Sequence, residues 1–186
     1  MLSDTRATAT YDLRRARPGD LDGARSVILD TLYRDLGYGY SPAWHADVID
    51  LDGHYLRDPR QALFVAVHDG EVVATTAVRA AAPKSPPHPE WLVSRYHPDR
   101  TAQLFRVYVR PGHRRHGLAR RLVALATDFV AAAPDYDVLY LHTDARSPGA
   151  DDFWRSVAVE VHDARDGDPA HFQTVHFEVP LPGGRR

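Results

Sequence analysis

The segment VYVRPGHRRHGLARRLVALATDFV, Val107 to Val130, constrains the fold more than any other. An apolar, β-branched run stops at Pro111-Gly112, and Leu118, Leu122, Leu125 and Phe129 then recur at helical spacing. A strand must therefore turn tightly into an amphipathic helix. Seven basic or potentially basic side chains crowd the junction: Arg110, His113, Arg114, Arg115, His116, Arg120 and Arg121. The 186-residue chain as a whole carries a net charge of -2, so this positive charge is local. A helix start presents unpaired backbone N–H groups and the positive end of the helix dipole. Gly117 lets that backbone approach an anion with no Cβ in the way. Arg114 and Arg115 can add forked, charge-assisted hydrogen bonds. The junction reads as a pyrophosphate cradle rather than a nucleic-acid track.

The flanking sequence supplies the rest of an architecture. Tyr11–Ala16 reads as a short strand, followed by a helix with Asp20 as N-cap and a buried face of Leu21, Ala24, Val27, Ile28 and Leu32. GYGYSP breaks that helix, and a second runs over roughly Ala43–Leu56. ALFVAVHDGEVVATTAVRA is two apolar runs joined by Asp-Gly, the signature of a hairpin. The proline-rich Ala81–Arg100 segment, with Trp91 and Tyr96, is long for a connection and reads as a lid over a cleft. After the central helix come a strand, DVLYLHT, a short helix, PGADDFWRSV, and two strands, VEVHDAR and HFQTVHFEVPL. The order β-α-α-β-β-β-α-β-α-β-β predicts an α/β fold, a mixed central sheet of about seven strands flanked by about four helices. Residues 1–186 read as a single domain with loose ends at 1–9 and 181–186.

Several classes of function are disfavoured. The chain has no cysteine, hence no disulfide, thiolate metal site or Cys nucleophile. No secretory h-region and no bilayer-length apolar run are present, which predicts a soluble, cytoplasmic protein away from membranes. No Gly-Lys-Ser/Thr follows the turn, and no G-x-G-x-x-G occurs. DVIDLDG lacks calcium-loop spacing and reads as the polar face of a helix. His113-x-x-His116 has no carboxylate nearby in sequence, and His171 and His176 are placed on opposite faces of one strand, so no metal is expected.

The motif Arg114-Arg115-His116-Gly117-Leu118-Ala119, preceded by Val109-Arg110-Pro111, resembles the acyl-CoA signature of the GNAT family of N-acetyltransferases. The element order from Tyr11 to Val179 is similar to that family's too. The resemblance implies that acetyl-CoA is the acyl donor. Backbone N–H groups of about Arg115 to Arg120, including His116, Gly117, Leu118 and Ala119, would hold its pyrophosphate. Val107–Val109 would pair with the pantetheine arm, where the fourth and fifth strands part. A backbone N–H of Val107, Tyr108 or Val109 would serve the oxyanion. Two family positions depart from pattern. Phe153-Trp154 stands where a tyrosine often protonates the leaving thiolate, so Trp154 is assigned to the CoA arm or the core. Ser147 stands where an asparagine commonly contacts pantetheine.

With that tyrosine missing, Tyr108, Tyr140 and His142 are the candidate acid and base groups. Tyr140 and His142 share a face of their strand, and an imidazole titrates near neutrality. His142 could equally be a hydrogen-bonded sheet histidine. Tyr33, Tyr38, Tyr40 and Trp44, at the break between the first two helices, are candidates for an acceptor wall. The sequence thus predicts transfer of an acetyl group to a small-molecule amine. An inactive acyl-CoA-binding sensor is the alternative, and no nucleic-acid partner is expected. Dimers are common among similar proteins.

Overall fold

The computed structural model describes residues 10–183, so the expectations for 1–9 and 184–186 lie outside the described residues. Seven strands form one sheet in the order β1-β2-β3-β4-β5-β7-β6. They are β1 (Asp12–Arg15), β2 (Ala62–His68), β3 (Glu71–Ala80), β4 (Thr101–Val109), β5 (Val138–Asp144), β6 (Val159–Asp163) and β7 (Thr174–Val179). Only β4 and β5 pair in parallel; the other neighbours are antiparallel. The β2–β3 turn has Asp69 and Gly70 both at positive φ, +48° and +82°. That is the primed geometry whose twist matches a hairpin, as Asp-Gly predicted.

Six helices cover the sheet: α1 (Leu21–Asp30), α2 (Pro42–Ile49), α3 (Leu51–Tyr55), α4 (Glu90–Val93), α5 (Leu118–Ala132) and α6 (Ala150–Arg155). On one face, Leu118, Leu122, Ala126 and Val130 of α5 and Trp154 of α6 pack on Phe64, Val78, Leu104, Leu139 and Phe177. On the other, Ala24, Val27, Ile28 and Leu32 pack with Leu51 and Tyr55 on Leu63, Val65 and Ala77. Full burial of side chains such as Val27, Ile28 and Leu32 stabilises the fold by about 1.5–3 kcal/mol each. Leu181 packs on the first core, so the expected loose end begins beyond it.

Four expected helices become six for local reasons. The Ala43–Leu56 helix is interrupted at Asp50, whose backbone leaves the helical region and whose carboxylate accepts the Gly53 N–H at 2.9 Å. Glu90–Val93 forms a helical turn after Pro89, burying Leu92 beside Tyr96 and Tyr140. Asp20 occupies the N-cap position of α1, as expected, but its side chain makes no capping hydrogen bond to that helix. Its carboxylate accepts the Arg17 N–H at 2.7 Å and pairs with Arg14, closing the short 3-10 turn ahead of that helix. His171 lies outside β7, so only His176 belongs to that strand.

Candidate active site

β4 and β5 pair only through Thr101–Gln103 and Val138–Tyr140. Beyond that, β4 continues to Val109 and β5 to Asp144 without pairing each other, so an opening runs between them. A bulge in β4 accompanies the parting. Thr75 faces Tyr108 and Ala77 faces Phe105, which leaves Arg106 and Val107 opposite Thr76 alone. Arg106 sits at φ +51°, a conformation that costs a non-glycine residue roughly 1–2 kcal/mol. The Thr75 hydroxyl donates to the Arg106 carbonyl at 2.8 Å. The Arg106 guanidinium donates to Asp47 at 2.7 and 3.1 Å and to the Trp44 carbonyl at 3.2 Å. Asp47 also accepts the Tyr55 hydroxyl at 2.7 Å. Burial alone would raise the Asp47 carboxyl, yet Arg106 and Tyr55 hold it below its ordinary range. Asp47, expected on a solvated helix face, is thus the buried anchor of the bulge.

At the end of β4 the chain makes a 3-10 turn, Pro111–His113, and enters α5 through Arg115 at φ +66° and Gly117 at φ +71°. Left-handed residues in such a turn gather successive N–H groups into an anion-binding concavity. The arginines around it divide by partner. Arg110 bonds Asp30 at 2.5 Å and Ser26 at 2.9 Å, and it lowers the Asp30 carboxyl pKa. The Arg114 guanidinium, expected to reach phosphate, instead pairs with Asp35 and donates to the Val109 carbonyl at 3.0 Å. Arg120 ties α5 to Ser156 at 2.9 Å. Arg115 and Arg121 are exposed and carry no recorded partner among the described residues. His116 Nδ1 donates to the Arg114 carbonyl at 2.9 Å, which stiffens the turn.

On the sheet face opposite α5, Tyr140 is fully buried against Tyr96 and Leu92. Its oxygen lies 2.7 Å from His176 Nδ1 and 3.4 Å from His142 Nδ1. Gln103 Nε2 is 3.5 Å from the same His142 nitrogen. His88, from the proline-rich segment, closes over both imidazoles, with ring centroids 4.7 and 4.9 Å away. By surface area His142 remains exposed to solvent. Its protein surroundings, and the His88 and His176 rings, push its pKa down, so it is neutral at pH 7. Burial pushes Tyr140 above the ordinary tyrosine range and His176 down to about 4. His176 is fully buried, and its Nε2 has no hydrogen-bond partner among the described residues. Its contribution to stability is complete above pH 6.5, the ordinary histidine value, and is lost as pH falls from there toward 4. Thermal melts between pH 7.5 and 4 should show that decline, with a smaller one in His176→Gln.

The expected acceptor wall is assembled only in part. Tyr38 stacks near His45 at 6.1 Å and meets Phe172 edge-on at 6.4 Å, joining the α1–α2 loop to the β6–β7 loop. Tyr40 lies 5.9 Å from His45, whose Nδ1 accepts the Ser41 N–H at 2.8 Å. Trp44 contributes its carbonyl to Arg106 while its ring is exposed. Tyr33 is exposed and has no recorded ring contact among the described residues. Tyr108 packs beside Phe105 on the α1–α3 face. Trp154 is buried in the α5-side core, the second of the two placements expected for it. Ser147 lies in the turn before α6, its N–H bonded to the Asp144 carbonyl at 3.0 Å. Arg106, Asp47, His45, Phe172, His88 and His176 were not singled out as site residues, because their roles come from contacts across the fold. Two surface cavities, about 210 and 590 Å³, share Asp137, Val138 and Glu178 at the other end of the sheet and include none of these groups.

The profile of the Acetyltransferase (GNAT) family matches residues 27–158, most of the chain and all of the parting strands and turn. The chain belongs to the GNAT acetyltransferase family. Among curated proteins it is 30% identical over 124 residues to N-acetylaspartate synthetase of Homo sapiens and, to the same extent, of Rattus norvegicus. That match covers 67% of this chain but 36% of those proteins, so the chain spans about a third of their length. A GNAT-family acetyltransferase of Staphylococcus aureus superposes with TM-score 0.68 at 13% identity, over 92% of this chain and all of that one. The PaiA N-acetyltransferase of Thermoplasma acidophilum, solved with coenzyme A, gives 0.63 at 12% identity, over 92% and 99% of the two chains. At these identities the structural likenesses establish the GNAT fold alone. Among the described residues no helix is long and apolar enough to cross a membrane. Nor do they form a cluster of three or more His, Cys, Asp or Glu arranged to hold a metal ion.

Proposed function

We propose that this GNAT protein transfers the acetyl group of acetyl-CoA to a primary amine of a small molecule, by direct attack in a ternary complex. The observation that carries this is the alignment of two features: the opening between β4 and β5, and the concavity of N–H groups at the start of α5. A pyrophosphate in the concavity, held by the N–H groups of Arg115 to Arg120 and by the free Arg115 guanidinium, leads the pantetheine arm along Val107–Val109. The thioester then arrives opposite His142. The amine nitrogen attacks the thioester carbonyl, the C–S bond breaks, and CoA leaves as the thiolate. Without cysteine the chain has no thiol to hold the acyl group between donor and acceptor.

His142 is the base. When the Tyr140 hydroxyl donates to His176 Nδ1, its oxygen accepts the His142 Nδ1–H, and the His142 Nε2 lone pair is left to take the amine proton. His176 then carries its proton on the buried Nε2. Tyr140 therefore positions the base, and the accessible Tyr108 hydroxyl is the candidate acid for the thiolate. His142→Ala should lower kcat/KM about 100-fold or more, with acetyl-CoA affinity little changed. Release of free CoA in the presence of an amine is the assay, and unaltered turnover would remove His142 from the reaction. The depressed His142 pKa places the acid limb of kcat/KM below pH 6.5, because the neutral ring persists to lower pH. Tight acetyl-CoA binding with no amine-dependent CoA release would favour a sensor instead.

A further inference from the structure

We infer that the acceptor carries a carboxylate beside its amine, as an amino acid does, and that Arg79 of β3 binds it. This rests on the acyl-transfer reading above and adds the chemical class of the acceptor. Paired residues of neighbouring strands share a sheet face. Arg79 pairs with Gln103, and Gln103 with Tyr140. Phe105 and His142 lie two residues along β4 and β5 and so share that face. Arg79, Gln103, Phe105 and His142 are therefore grouped at the floor where β4 and β5 begin to part.

The Arg79 guanidinium does not sit over its own register partner. Its carbon lies 4.8 Å from the Phe105 ring centroid, so the head group leans along β4 toward the opening. The His142 ring in turn reaches back to β4, its Nδ1 3.5 Å from Nε2 of Gln103, the residue that pairs with Arg79. The guanidinium and the imidazole thus flank Gln103, an arrangement suited to the short separation of carboxylate and amine in a small amino acid.

Charge singles out Arg79 among the cations of this face. Arg106 lies against the same ring at 4.2 Å but is neutralised by Asp47. Arg146 is paired with Asp144 at 2.6 Å. Arg79 is half-buried and has no recorded hydrogen bond or ion pair among the described residues. The cluster of Arg79, Arg106 and Asp47 therefore keeps one uncompensated positive charge. A planar guanidinium held by stacking presents its N–H fork edgewise, the geometry that binds a carboxylate with two bonds.

Calorimetry on the full chain saturated with CoA tests this, titrating proteinogenic amino acids and the matching amino acid amides. At least one free acid should bind, and its amide about 10- to 100-fold more weakly. Arg79→Met, which retains the stem over Phe105, should bring the acid down to the affinity of the amide and leave acetyl-CoA binding unchanged. Arg79→Lys should recover part of the preference. The assignment is overturned by equal binding of acid and amide, by undiminished acid binding in Arg79→Met, or by no free acid binding to protein that holds CoA. Failure of the transfer reading looks different: acids bind through Arg79, yet no free CoA is released from acetyl-CoA in their presence.

Discussion

Gly117→Glu should abolish acetyl-CoA binding, weakening it by at least about 100-fold, while the protein remains folded. Two of its effects oppose binding. The residue sits at φ +71°, where any side chain is strained by roughly 1–2 kcal/mol. The new carboxylate also enters the concavity that would receive the pyrophosphate, replacing attraction by like-charge repulsion and filling it. The fold should survive, because an added Cβ meets no atom within 4 Å and an acidic group complements a helix N-terminus. Gly117→Ala separates the effects, since it carries the same backbone strain without charge. Calorimetric titration of the three proteins should give tight, slightly weakened and undetectable binding in the order wild type, alanine, glutamate. Glutamate binding equal to wild type would place the pyrophosphate elsewhere.

Asp47→Ala should lower the free energy of unfolding by about 3–5 kcal/mol, the cost of leaving a buried partner charge uncompensated. The loss is large because Arg106 is buried and because the Tyr55 hydroxyl loses its acceptor as well. Against a typical total of roughly 5–15 kcal/mol, the variant would be marginal. Denaturant titration reads the change directly. Removing both charges, in Asp47→Ala with Arg106→Met, should recover much of it, because the pair is costly chiefly when half of it is missing. A single variant within about 1 kcal/mol of wild type would mean that Arg106 finds water or another acceptor. The same contact holds the β4 bulge, so acetyl-CoA turnover in Asp47→Ala should fall along with stability.

Much of the framework was legible in the sequence because it is written in local patterns. The hairpin follows from Asp69-Gly70, and the α5 face from Leu118, Leu122, Leu125 and Phe129. The turn follows from Pro111, Gly112 and Gly117, and the family motif lies in the same run. The acceptor side was less legible. Tyr33, Tyr38, Tyr40 and Trp44 lie close together in sequence, but among the described residues only Tyr38 and Tyr40 of the four form ring contacts, and both do so with His45. Arg114 and Arg115 are equivalent as letters, yet one is occupied by Asp35 and Val109 and the other is free. Asp47 looked like a solvated helix charge because nothing near it in sequence announces Arg106.

Periodicity and turn chemistry act over a few residues, so the sequence by itself determined the strands, the principal helices, the tight turn at the start of α5 and the candidacy of His142. Register and packing act between residues far apart in the chain. The tertiary structure alone therefore decided that Tyr140 lies beneath His142 and bonds His176, that His88 closes over them, and that Trp154 belongs to the core. It also decided which cations stay free. A charge is available to a ligand only when the fold brings it no partner, and that depends on neighbours that the linear order does not reveal.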